Sequence, residues 1–171
     1  MRAVFLDRDG IVNKAVVRDG RPHPPANLGE FEFVEGIHQV LAVLRQRGFL
    51  LIGTTNQPDV ARGIQSKTDV ETIHRRILEV LPIDRIYCCY HDNSDRCSCR
   101  KPKPGMLLRG AQEFEIALAD SFMVGDRWRD IEAGLAAGCK TVYVDYGYDE
   151  KLTLAPHYSV ESVQEILNHI E

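Results

Sequence analysis

Several things are missing from this sequence, and each absence excludes a class of function. No apolar run approaches the roughly 20 residues of a membrane-spanning helix. The first hydrophobic segment leads straight into charged residues instead of a signal-peptide core, so a cytoplasmic location without membrane attachment is expected. A basic excess is also missing: 21 Lys and Arg stand against 25 Asp and Glu, for a formal charge of -4. No overall field therefore favours nucleic acid, and a small anionic partner needs only a local basic patch. There is no internal repeat or low-complexity tract, which excludes solenoids and arrays. The cysteines, odd in number at five, do not suit a disulfide framework.

What the chain does have is a hydrophobic content of 44% over 171 residues, enough for one compact domain spanning 1–171. A monomer is expected. Short apolar runs alternate with amphipathic stretches. Ala3 to Leu6, Phe49 to Ile52, Arg85 to Cys88, Ser121 to Val124 and Thr141 to Val144 read as strands. Between them, Ile37, Val40, Leu41 and Leu44 fall at helical spacing. Ser66 to Asp69 reads as a capped helix start, Pro104 opens a further helix, and Ile131 to Ala137 ends at Gly138. Val163, Ile166, Leu167 and Ile170 make a final helical stripe. This alternation predicts an α/β fold with a doubly wound, mostly parallel sheet. The Pro- and Gly-rich stretch 13–33 is expected to be a loop at the entrance to a site.

In such sheets ligands bind at the carboxyl ends of the strands, and here polar clusters come directly after the apolar runs. Asp7 and Asp9 follow the first, Thr55 and Asn56 the second, a Cys/His group the third and Asp126 the fourth. Acids converging at one rim repel one another unless a hard cation neutralises them, and oxygen ligands with water suit Mg²⁺. A carboxylate can attack phosphorus, and a second carboxyl can protonate the leaving oxygen and then activate water. Asp7 suits the first task and Asp9 the second. Thr55 and Asn56 offer donors to phosphate oxygens, and Lys101, just before the helix opened by Pro104, can place an ammonium beside Asp7. Asp130, one turn into the next helix, orients a metal-bound water or caps the helix. Each motif alone reads equally well as a turn, a cap or a solvated loop; their order after successive strands is what carries the chemistry.

Cys89 and His91, then Cys97 and Cys99, form two pincers, since residues two apart in extended chain share a face. One imidazole and three thiolates suit tetrahedral Zn²⁺ with no open position, so a structural zinc loop over 89–99 is expected to pin the loop carrying Arg100 and Lys101. Cys88, facing the other way, is expected in the core, and Cys139 is expected as a buried thiol.

Taken together, Asp7-Arg8-Asp9-Gly10, Thr55-Asn56, Lys101 and Asp126 resemble the four ordered motifs of the haloacid dehalogenase superfamily of phosphohydrolases. That resemblance implies a Rossmann-like core without a large cap domain, and an aspartyl-phosphate mechanism. Asp7 would be the nucleophile and Asp9 the acid/base and a backbone ligand of magnesium. Thr55 would be the phosphate ligand, Lys101 the charge stabiliser and Asp126 a metal ligand. Phe5 to Asn13, Thr55-Asn56-Gln57 with Ala61-Arg62-Gly63, and Cys99 to Pro102 followed by Pro104-Gly105-Met106 are similar to the D-glycero-D-manno-heptose 1,7-bisphosphate phosphatase group. The five residues between His91 and Cys97 are instead similar to histidinol-phosphate phosphatases, the alternative substrate branch. Arg62 and Arg100 are candidates to hold the remote part of the substrate, their bland alternative being surface salt bridges. A phospho-acceptor module on a similar sheet is the alternative from another class, but it requires neither Asp9 nor a zinc loop.

Overall fold

The structure, a computed structural model, describes all residues from Met1 to Glu171. In chain order the strands are β1 (Ala3–Asp7), β2 (Val16–Arg18), β3 (Arg21–His23), β4 (Leu50–Asn56), β5 (Arg85–Cys89), β6 (Phe122–Gly125), β7 (Lys140–Val144) and β8 (Tyr158–Val160). The helices are α1 (Ile37–Gln46), α2 (Lys67–Val80), α3 (Gly105–Phe114) and α4 (Trp128–Ala137). Six strands form one sheet in the order β5-β4-β1-β6-β7-β8, and every neighbouring pair is parallel.

Side chains of β1 alternate between the two faces, as a pleated strand dictates. Val4 and Leu6 enter a core with Ile37 and Leu41 of α1 and Ile73 and Ile77 of α2. Ala3 and Phe5 enter a second core with Met106 and Leu107 of α3 and Ala133 of α4. Covered on both faces, β1 is buried along its whole length, which is why it reads as a continuous apolar run. Removing one such side chain, as in Leu6→Ala, costs roughly 2–5 kcal/mol.

The helix ends obey their expected chemistry. Ser66 caps α2 by accepting from the Asp69 N–H at 3.0 Å, and Gly138 ends α4 at φ 86°, a left-handed conformation that glycine adopts freely. Three expectations are corrected. The stretch 13–33 carries the hairpin β2–β3, closed by Asp19 and Gly20, both at positive φ. A sixth strand, β8, too short at three residues to show a period, pairs with β7. The C-terminal stripe winds as a 3-10 helix over Gln164–Asn168, because its spacing fits three residues per turn as well as 3.6.

The strand order turns about β1: the chain steps outward to β4 and β5 on one side and to β6, β7 and β8 on the other. The carboxyl end of β1 is therefore the switch point at which such sheets bind ligands. No cap domain stands over it. The β2–β3 hairpin does, with Arg21 and His23 lining the cavity there.

Candidate active site

Asp7 is the last residue of β1 and pairs in register with Thr54 of β4. The chain then turns sharply, Gly10 at φ 97° donating its N–H to the Asn13 carbonyl at 2.7 Å. A side chain at Gly10 has no room, since a Cβ there would lie 2.0 Å from Asp126 Oδ2. Asp126 comes immediately after β6, and Lys101 reaches in from the loop ahead of α3.

These residues meet. Carboxylate oxygens of Asp7, Asp126 and Asp130 lie within 4.8 Å of one another, all three buried. Lys101 Nζ spends its three protons on Asp7 Oδ1 at 2.7 Å, Thr54 O at 2.8 Å and Asp130 Oδ1 at 2.7 Å. Burial opposes the Lys101 charge, but Asp130 and Asp7 outweigh it and raise its pKa. Burial, then repulsion from Asp130, lifts Asp7 to about 7, with Lys101 offsetting part of the rise. Asp126 is pushed well up by burial and by Asp7. Asp130 also caps α4, its Oδ2 accepting from the Arg127 N–H at 3.1 Å, so it holds both Lys101 and a helix start.

The third acid of this cluster is Asp130 and not the side chain of Asp9, a correction with a local cause. The buried Arg8 folds back onto its neighbour, donating to Asp9 Oδ1 from Nη2 at 2.7 Å and from Nε at 3.0 Å. Asn13 Nδ2 adds a bond to the same oxygen at 2.9 Å, and Gln57 Nε2 bonds Oδ2 at 2.7 Å. Arg8 Nη1 in turn lies 3.2 Å from Nε2 of His74. Burial, then the Arg8 charge, depresses His74 to about 3, so the ring is neutral and free to accept. Asp9 still lines the cavity.

Thr55 is buried and accepts from Gln57 Nε2 at 2.9 Å. The Asn56 amide is engaged twice with the backbone of Lys101, donating to its carbonyl at 2.9 Å and accepting from its N–H at 3.0 Å. It thus splints the Lys101 loop to β4. Arg62 lies across Asp92 at 2.7 Å and Asp59 at 3.3 Å. Arg100 donates from Nε to Asn93 Oδ1 at 2.8 Å.

The cavity above these groups holds about 260 Å³, and none of its fifteen lining residues is hydrophobic. Asp7, Asp9 and Lys101 line its floor, and Arg21, Arg62, Arg100, Arg127 and Arg129 are among its other lining residues. Such a lining suits a hydrated, multiply charged anion. Sequence reading missed Arg21, Arg127, Arg129, His74 and Gln57 as parts of this site. Arg21 lies in the stretch 13–33 expected at the entrance, and the Asp19-Gly20 pair ahead of it is a turn signal, but the strands on either side are too short to be read as a hairpin.

Beside the cavity, Cys89, His91, Cys97 and Cys99 present one ligand atom each within 4.8 Å of the others. Cys89 Sγ lies 3.1 Å from Cys99 Sγ and 3.7 Å from Cys97 Sγ, and His91 Nδ1 lies 3.4 Å from Cys99 Sγ. The donor set fits tetrahedral zinc, as do the 3.7 Å and 3.4 Å edges, while the 3.1 Å approach of the two thiols is shorter than a zinc site would hold them. Cys88 faces away as expected but is only half-buried, and Cys139 is buried. The acid cluster fits magnesium on a separate ground: Asp126 Oδ1 is buried with no hydrogen-bond partner, an unpaired acceptor that a hard cation would satisfy.

A family profile described as HAD-hydrolase-like matches residues 98–166. The D-glycero-beta-D-manno-heptose-1,7-bisphosphate 7-phosphatase of Helicobacter pylori is 38% identical over 147 residues, covering 81% of this chain and 80% of the relative. The D-glycero-alpha-D-manno-heptose-1,7-bisphosphate 7-phosphatase of Campylobacter jejuni is 36% identical over 149 residues, covering 82% and 80%. Among solved structures, the D,D-heptose 1,7-bisphosphate phosphatase from B. bronchiseptica, complexed with magnesium and phosphate, matches with a TM-score of 0.80 and 28% identity over 98% of this chain and 99% of that one. With a parallel sheet that brings Asp7, Lys101 and Asp126 to one rim, the chain belongs to the heptose-bisphosphate phosphatase family of the haloacid dehalogenase-like hydrolases.

Proposed function

We propose that the chain hydrolyses one phosphate ester of D-glycero-D-manno-heptose 1,7-bisphosphate through an aspartyl-phosphate on Asp7. The observation that carries this reading is the meeting of Asp7, Asp126, Asp130 and Lys101 beneath a cavity lined only by polar and proline residues. Its relatives' names supply the sugar, and the arginines of that lining suit a second phosphate.

In the first step a carboxylate oxygen of Asp7 attacks phosphorus and the bond from phosphorus to the sugar oxygen breaks. Asp9, held by Arg8, Asn13 and Gln57, gives its proton to that leaving oxygen. In the second step Asp9 takes a proton from water, whose oxygen attacks the acyl phosphate; the bond from Asp7 to phosphorus breaks and inorganic phosphate leaves. Lys101 offsets charge on the phosphoryl oxygens. Thr55 already accepts from Gln57, which leaves its own hydroxyl proton to donate to phosphate.

Asp7, Asp126 and the backbone carbonyl of Asp9 would hold magnesium. Bound there, it would neutralise the crowded carboxylates and the incoming phosphate. Cys89, His91, Cys97 and Cys99 would hold a structural zinc. That loop bears on the site through Arg100, whose side chain bonds Asn93 within it. Thiolate ligands of this kind are kept reduced in the cytoplasm, where we place the chain. Arg62 and Arg100 would hold the remote phosphate, with Asn56 keeping the Lys101 loop in place.

The test is phosphate release with Mg²⁺ from both anomers of the heptose 1,7-bisphosphate, from heptose 1-phosphate and from histidinol phosphate. Preference for a heptose bisphosphate supports the assignment. Preference for histidinol phosphate moves the substrate and keeps the chemistry.

A further inference from the structure

Hydrolysis through Asp7 and Asp9 makes no use of the loop after β7, residues 145–150, which reaches the acid cluster from outside the four sequence motifs. Tyr148 donates its hydroxyl to Asp126 Oδ2 at 2.8 Å. Tyr146, its ring 5.8 Å away, donates to the Gly10 carbonyl at 2.7 Å. Glu150 pairs with Arg127, the residue after Asp126. The loop is tied down at both ends of this contact: Gly147 donates to Asp145 Oδ1 at 2.9 Å, and the Asp149 N–H reaches the Gly20 carbonyl in the β2–β3 turn at 3.2 Å.

The two oxygens of Asp126 therefore have different fates. Oδ2 is bonded to Tyr148 and walled in by Gly10, where a Cβ would lie 2.0 Å away. Oδ1 is buried and has no partner. A carboxylate left to itself turns about its last bond and presents either oxygen. A donor fixed on one oxygen removes that choice and commits the other. A neutral hydroxyl does so without competing for the charge a cation needs, as an arginine or lysine would.

We infer that Tyr148 is a positioning residue for a divalent cation, holding Asp126 so that Oδ1 faces the cluster formed with Asp7 and Asp130. This rests on the reading of Asp126 as a magnesium ligand.

The experiment is calorimetric titration of MgCl₂ into the metal-free parent chain and into Tyr148→Phe, Tyr146→Phe, Asp126→Asn and the double variant Tyr148→Phe/Asp126→Asn. Tyr148→Phe is expected to weaken magnesium by roughly tenfold or more, and more than Tyr146→Phe does, with an unchanged far-ultraviolet circular dichroism spectrum. In the Asp126→Asn background the same change should add nothing. Equal affinity in the parent and Tyr148→Phe overturns the inference alone, as do equal losses in the two tyrosine variants, which would make the loop merely structural. No magnesium uptake by the parent overturns both the inference and the site reading beneath it. Should Tyr148→Phe fail to fold, the parent carries the test alone: magnesium drawing charge from Asp126 weakens the Tyr148 bond and shifts the tyrosine ultraviolet band. A flat difference spectrum overturns the inference.

Discussion

Lys101 Nζ stands 2.7 Å from Asp7 Oδ1, a buried ion pair joining residues 94 apart in sequence. With Asp130 and the Thr54 carbonyl completing the ammonium's three bonds, Lys101 neutralises a pocket that otherwise holds only acids at its floor. Lys101→Met leaves those acids buried without their cation. Such a change typically costs about 3–5 kcal/mol, and loss of the charge at the phosphoryl site should lower turnover by at least about 100-fold. Denaturant unfolding and steady-state kinetics check the two effects; a variant as stable and active as the parent contradicts the role given to this pair.

Asp9 acts twice, as acid at the leaving oxygen and as base on the water that follows. Asp9→Asn should reduce turnover of sugar phosphates by roughly 10²–10⁴. In the first turnover, aryl phosphates, whose leaving group departs without a proton, should release their phenol with much less loss, whereas the second step, which needs Asp9 as base, slows for every ester. Equal losses of leaving-group release in the first turnover, measured side by side, would remove Asp9 from protonating the leaving oxygen.

His74 makes stability depend on acidity. Its folded pKa of about 3, depressed by burial and then by Arg8, lies below the ordinary value of 6.5. Between those two values the unfolded chain binds more protons, so the stability supplied by the neutral ring is whole above pH 6.5 and is lost as pH falls toward 3. His74→Gln keeps an acceptor for Arg8 and does not titrate. From pH 7.5 to pH 5 the parent should therefore lose roughly 1–2 kcal/mol more than this variant does. Urea unfolding at the two pH values measures the difference, and parallel losses would contradict the account.

Zinc in the 89–99 loop should be stoichiometric and structural. Chelation, or Cys97→Ser, is expected to lower the melting temperature, each kcal/mol lost amounting to about 2–4 °C in a chain of this size. Metal analysis of the purified protein should find one zinc per chain. A melting temperature indifferent to chelation would leave the four side chains without a metal to explain their approach.

Much of this was legible because the sheet is parallel and buried on both faces. Continuous apolar runs announced β1, β4, β6 and β7, and the residues just past each run had to lie at the ligand-binding rim. The placement of Asp7 and Asp126 came from that; Lys101 was placed by the helix start at Pro104, and the zinc loop by the paired spacing of Cys89, His91, Cys97 and Cys99. The features that escaped were set by contacts across long sequence distance. Asp9 is turned away from the other acids by Arg8, a residue whose side-chain direction no periodicity reveals. Gln57, His74 and Tyr148 look like surface residues until the fold brings each within hydrogen-bond reach of Asp9, Arg8 or Asp126. β8 and the β2–β3 hairpin are three-residue strands, shorter than the window in which alternation can be recognised.

The central claim is that phosphate passes through Asp7. The measurement is rapid mixing of the parent with heptose 1,7-bisphosphate and Mg²⁺, acid quenching within the first turnover, digestion and mass analysis of the peptide that begins at Met1. The account predicts a phosphoryl group on Asp7 that rises before free phosphate appears, then decays, and that is absent in Asp7→Asn together with all turnover. Undiminished phosphate release by Asp7→Asn, or a phosphoryl group on Asp7 that persists and never yields free phosphate, would contradict it.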